Sequence, residues 1–146
     1  MQNTKTTESP LALPFLTKLE DWVGGICIET TDLTQTSLLA GTPVGRDTNE
    51  LWHVIKQAVM EDTASDSATD YKVDKGHNFK VGDVITTGLS AAAYAITAIT
   101  TTETDYDTIS VGTTLGVALV ADDILFQAYG ESASDSTWKY TPLGLI

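Results

Sequence analysis

Between residues 71 and 128 the chain breaks into short β-like runs separated by Gly-Asp and threonine-rich turns, a rhythm that suits a compact β-barrel or β-sandwich. The alternation is clearest where Tyr94, Ile96, Ala98 and Thr100 interleave with Ala95, Thr97, Ile99 and Thr101, as a pleated and half-exposed strand requires. Strands are expected at 71–73, 84–87, 93–101, 108–111, 115–120 and 124–128. Upstream, residues 38–45 read as a short strand entering a turn. The run Leu51-Trp52-His53-Val54-Ile55-Lys56-Gln57-Ala58-Val59-Met60 suits one face of a helix nearly as well as a buried strand. Its β-branched Val54, Ile55 and Val59 favour the strand. Residues 61–70 are small, acidic and polar, with nothing to bury, and are expected to form an exposed loop.

A chain of 146 residues is the size of one domain, and its 42% hydrophobic content suffices for a core without disulfide or metal staples. Three parts are expected: an extended N-terminal arm over 1–20, a mainly β domain over 21–130, and a C-terminal tail over 131–146. Pro10 and Pro14 discourage a continuous helix through the apolar residues of the arm. The single cysteine, Cys27, sits in the run Val23-Gly24-Gly25-Ile26-Cys27-Ile28 and is expected to pack as a small hydrophobe. The first residues lack the apolar centre of a signal peptide, and no stretch reaches the roughly 20 apolar residues of a membrane span. A net charge of -12 repels phosphate backbones and anionic lipid surfaces, so nucleic acid and membranes are not expected partners.

Little in the chain is arranged for chemistry. Cys27 with His53 or His77 is the one nucleophile and base combination, but no positive neighbour activates the thiol in sequence. Glu103, Asp105 and Asp107 would share a face of an extended segment and could hold calcium, yet the EF-hand glycine and glutamate positions carry Thr108 and Thr114. A solvated turn is the simpler reading there, as it is for Asp62, Asp66 and Asp70 and for the Asp122-Asp123 pair. No phosphate-binding glycine loop, zinc spacing or serine elbow occurs. No catalytic activity, cofactor or metal is therefore expected. Among the tryptophans, Trp52 reads as core, whereas Trp22 and Trp138 flank the arm and the tail, where large rigid side chains serve best as interface anchors.

Three segments in order carry a resemblance: Val23-Gly24-Gly25-Ile26-Cys27-Ile28-Glu29-Thr30, then Leu38-Leu39-Ala40-Gly41-Thr42-Pro43-Val44-Gly45-Arg46-Asp47, then Lys75-Gly76-His77-Asn78-Phe79-Lys80-Val81-Gly82-Asp83-Val84-Ile85. With the closing Leu115-Gly116-Val117-Ala118-Leu119-Val120-Ala121-Asp122-Asp123-Ile124-Leu125, they make residues 23–128 resemble the head fibre and head decoration proteins of tailed bacteriophages. Asp122 stands where that pattern expects glycine. The resemblance implies a virion protein on the capsid exterior, made in the host cytoplasm, with the major capsid protein as partner. By the same analogy it implies a homo-oligomer, for which a trimer is the expectation. Leu13, Phe15 and Leu16 in the arm, Trp22 just after it, and Trp138, Tyr140 and Leu143 in the tail are the expected capsid or subunit contacts. The alternative reading is a carbohydrate-binding or host-surface adhesion module of the virion, which an exposed aromatic platform would favour.

Overall fold

A computed structural model describes residues 26–38 and 40–146. The described chain is all-β, with nine strands: β1 Pro43–Arg46, β2 Trp52–Val54, β3 Gln57–Val59, β4 Asp70–Asp74, β5 Val84–Thr86, β6 Ala93–Thr100, β7 Tyr106–Val111, β8 Ile124–Gln127 and β9 Thr141–Leu145. Six of them form one antiparallel sheet in the order β3-β8-β5-β6-β7-β4. Its two outer strands meet: Met60, just past β3, bridges Val73 in β4, and the Glu61 N–H donates to the Lys72 carbonyl at 3.0 Å. The sheet thereby closes on itself into a barrel, which removes the exposed backbone edges that an open sheet would present. A smaller sheet of order β2-β1-β9 continues from it, because β2 runs into β3 through Ile55 and Lys56.

The barrel interior follows from the period-2 pattern. Along β4 the burial alternates strictly, turning Tyr71 and Val73 inward, and along β7 Asp107, Ile109 and Val111 do the same. The apolar ones, Tyr71, Val73, Ile109 and Val111, meet Ala58, Met60, Phe79, Ile85, Ile96, Leu115, Leu119 and Leu125 in one core. Each fully buried aliphatic of that size stabilises the fold by about 1.5–3 kcal/mol. A bulge between Ile96 and Ala98 in β6 shifts its pairing with β7 and lets the long strand bend around the barrel.

Several expectations meet the structure directly. The fold class is as expected, and 51–60 is strand, though divided into β2 and β3. Residues 115–120 do not form a strand. Leu115 and Leu119 are buried, but Val117 between them is exposed where strand alternation would turn it inward, Gly116 takes a left-handed φ of 71°, and only Leu119 bridges Ala64. Cys27 is exposed rather than packed, because Ile28 turns toward its bridge with Trp52 and leaves the preceding residue facing outward. Asp122 adopts a left-handed φ of 72°, a conformation that aspartate tolerates, while Asp123 Oδ2 accepts the Val120 N–H at 2.8 Å. The expected turn forms without a glycine. The arm over 1–20 and its contact residues Leu13, Phe15 and Leu16, together with Trp22, lie outside the described residues.

Candidate interaction surface and the polar clusters

The tail returns to the domain and makes its terminal strand. Trp138 bridges Ala128 and packs edge-on against Phe126, with ring centroids 4.8 Å apart. Two residues on, Tyr140 stacks flat on His53 of β2 at 4.4 Å, and burial pushes its hydroxyl pKa up. These aromatics, expected as contacts for a partner, are half-buried against their own chain and fix the course of the tail. The tail can reach β1 because Gly45 leaves room. A Cβ there would sit 2.5 Å from the Thr141 carbonyl oxygen and 3.0 Å from the Tyr140 Cβ. The pairing of β9 with β1 is also bulged between Val44 and Gly45.

β9 is the outermost strand of its sheet, and all five of its residues are exposed. Leu143 keeps 54% and Leu145 55% of its surface open. The Ile146 N–H donates to the Thr42 carbonyl, and its own carbonyl accepts the Gly41 N–H. By strand alternation the N–H and C=O of Leu145 therefore face away from β1. No charged side chain occurs between Thr141 and Ile146, although edge strands are commonly guarded by charge. Pro142 and the bulge are the guards that this edge has. Such a strand can accept a further strand through its backbone, with Leu143 and Leu145 supplying the apolar contact.

Inside the domain lie two polar clusters. In the first, Lys56 is 1% exposed and its Nζ lies 2.8 Å from Asp83 Oδ2 and 3.0 Å from Asp32 Oδ2. Asp83 Oδ1 accepts from Gln127 Nε2 at 3.1 Å, and Oδ2 accepts the Lys80 N–H at 2.9 Å. In the second, Asp107 on β7 is buried and takes Lys75 Nζ at 2.7 Å. His77 sits beside it, its Nδ1 accepting the Phe79 N–H at 3.2 Å. The proton is thereby assigned to Nε2. That nitrogen faces Asp107 Oδ2 at 3.5 Å, too long and too oblique to count as a hydrogen bond. A cleft of about 230 Å³ runs past both clusters, lined among others by Lys56, Asp74, Lys75, His77 and Asn78.

The structure separates Asp107 from the two acids with which sequence grouped it. Asp107 turns into the domain, while Glu103 and Asp105 stay exposed before β7. Among the described residues no three His, Cys, Asp or Glu side chains are placed to hold a metal ion. His53 is committed to Tyr140 and lies 3.5 Å from Asp47 Oδ2. Sequence reading missed Lys56 and Asp83; a lone lysine inside the apolar run 51–60 was the available signal.

Burial, and then the Lys75 charge, hold the His77 pKa below its ordinary 6.5 against the opposing pull of Asp107. The unfolded chain thus takes up a proton near pH 6.5 that the folded chain still refuses, so stability falls as pH drops from above 6.5 toward the folded value. Glu61 acts with the opposite sign. Its carboxyl shares a hydrogen bond with Asp74 that raises its pKa above 4.5, so acidification relieves that repulsion in a lower window. The urea midpoint is expected to decline between about pH 8 and about pH 5.5. In His77→Asn, whose side-chain oxygen can still accept the Phe79 N–H, that decline should flatten; an equally steep decline would assign it to other groups.

Compared with protein-family models, with curated proteins and with solved structures, the chain matches none.

Proposed function

We propose that this chain is a structural subunit of a phage head, binding the outer surface of the capsid as a decoration, cementing or head fibre protein. The observation that carries this reading is the arrangement of edges. The barrel closes its own sheet and leaves β9 as an uncharged apolar edge at the end of the chain. A body whose described strands leave β9 available for addition suits attachment to a protein lattice, where a weak contact repeated in many copies becomes firm. The acidic remainder of the surface keeps unassembled copies apart. The segment sequence from 23 to 128 that resembles head fibre and decoration proteins supports the same reading.

The test is co-sedimentation with shells assembled from the major capsid protein of the phage that carries this chain. Wild-type protein is expected to pellet with shells in numbers comparable to the shell subunit. Leu143→Asp/Leu145→Asp alters two exposed side chains, so the fold should survive while the apolar contact is lost. Losing two such contacts is expected to weaken binding at least tenfold, since about 1.4 kcal/mol is tenfold and each leucine contributes about that or more. Undiminished binding by this variant would remove β9 from the interface. Absence of binding by the wild type would remove the capsid reading itself.

A further inference from the structure

Among the described residues, Lys56 is the lysine on whose amine two carboxyl groups converge. It is 1% exposed, in contact with Asp83 and Asp32 at 2.8 and 3.0 Å, and no feature of capsid docking uses it. A lysine held against a carboxyl away from water, with a second carboxyl to move protons, has the parts needed for amide formation without any cofactor. We infer that Lys56 and Asp83 condense to an intramolecular isopeptide bond, with Asp32 as the proton relay.

The step balances within the cluster. The Lys56 ammonium gives one proton to Asp83 Oδ2, leaving a free amine beside a carboxylic acid. Nζ then attacks Asp83 Cγ, and the carbonyl electron pair moves onto Oδ1. There the Gln127 Nε2–H, at 3.1 Å, stabilises the charge as it develops. Asp32 Oδ2 removes a second proton from Nζ and delivers it to Oδ2 of Asp83. The Cγ–Oδ2 bond breaks, one water leaves, and the pair on Oδ1 restores the carbonyl of the new amide.

The two aspartates differ in a way that assigns their roles. Asp83 is 11% exposed and fixed by Gln127 and the Lys80 N–H, as the reacting carbon must be. Asp32 is 37% exposed and open to solvent, as suits a group that exchanges protons and lets water depart. Condensation in bulk water is unfavourable, but reacting groups already in contact gain effective molarities of roughly 10⁵–10⁸ M, which offsets it. The product would tie the β2–β3 junction to the turn before β5, positions 27 residues apart in sequence. A strap there would brace the barrel where the small sheet joins it.

High-resolution intact mass of the folded, full-length wild type after denaturation is the test. The expected mass is one water below the sequence mass, with a branched peptide joining the segments that contain Lys56 and Asp83. Lys56→Met should show its full mass, and Asp32→Asn should remain folded yet lose the water slowly or not at all. A full mass for the wild type after prolonged incubation at neutral pH would overturn the bond and leave a buried ion pair. Loss of water that persists in Lys56→Met would locate it elsewhere, as in an aspartyl succinimide, and would also overturn it.

Discussion

Tyr71→Ala is expected to remove about 3–5 kcal/mol, a large share of the roughly 5–15 kcal/mol that holds a domain together. Tyr71 is wholly buried in the barrel, on β4 opposite Ile109 of β7, so truncation leaves a ring-sized cavity among Val73, Ile109 and Leu115 and their neighbours. The ring is only half of its role. Its hydroxyl donates to the Ala68 carbonyl at 2.8 Å and accepts the buried Leu115 N–H at 3.2 Å. One side chain thereby ties the acidic loop before β4 to the irregular segment after β7. Tyr71→Phe separates the contributions, because it keeps the packing and orphans the Leu115 N–H, at a cost of about 1–3 kcal/mol. Urea titrations with unchanged slope should return both values. A loss below about 1.5 kcal/mol for the alanine variant would mean that the core collapses around the gap and that the loop does not depend on the hydroxyl.

The role of Tyr71 shows what the sequence could and could not reveal. Its strand was legible, since Tyr71 and Val73 alternate with charged neighbours and the same logic located β5 to β8. The segment it supports was not. Residues 115–120 carry strand-like composition, but their backbone is held by the Tyr71 hydroxyl and by the bridge to Ala64, contacts made only after the chain has folded. β9 was equally hidden, since Thr141-Pro142-Leu143-Gly144-Leu145 has weak local preference and becomes a strand because Gly45 admits it beside β1. The aromatic anchors were recognised as important, yet whether Trp138 and Tyr140 meet a partner or their own domain depends on Phe126 and His53, which no spacing rule connects to them. Composition favoured a chain without a catalytic set. It could not show that three residues scattered over 32, 56 and 83 converge.

That convergence gives the second large effect. Lys56→Met keeps most of the buried hydrocarbon stem but leaves Asp83, with its carboxylate still gripped by Gln127 and the Lys80 N–H, without its cation. Removing one partner of a buried pair costs about 3–5 kcal/mol, mainly because the remaining charge has lost both water and counter-charge. The amide of Asp83→Asn keeps an oxygen for the Lys80 N–H and carries no charge to be stranded, so the double variant Lys56→Met/Asp83→Asn should regain part of the loss. The expected result is a coupling of about 1–3 kcal/mol between the two positions in a double-mutant cycle. Asp32→Asn should cost far less, because that carboxylate keeps contact with solvent and has Lys139 Nζ 3.8 Å away. Additive losses at 56 and 83 would mean that the lysine stabilises through its stem alone. An ion pair and an amide bond both predict coupling here, so the cycle measures how strongly the barrel depends on the contact, while the missing water decides its chemical form.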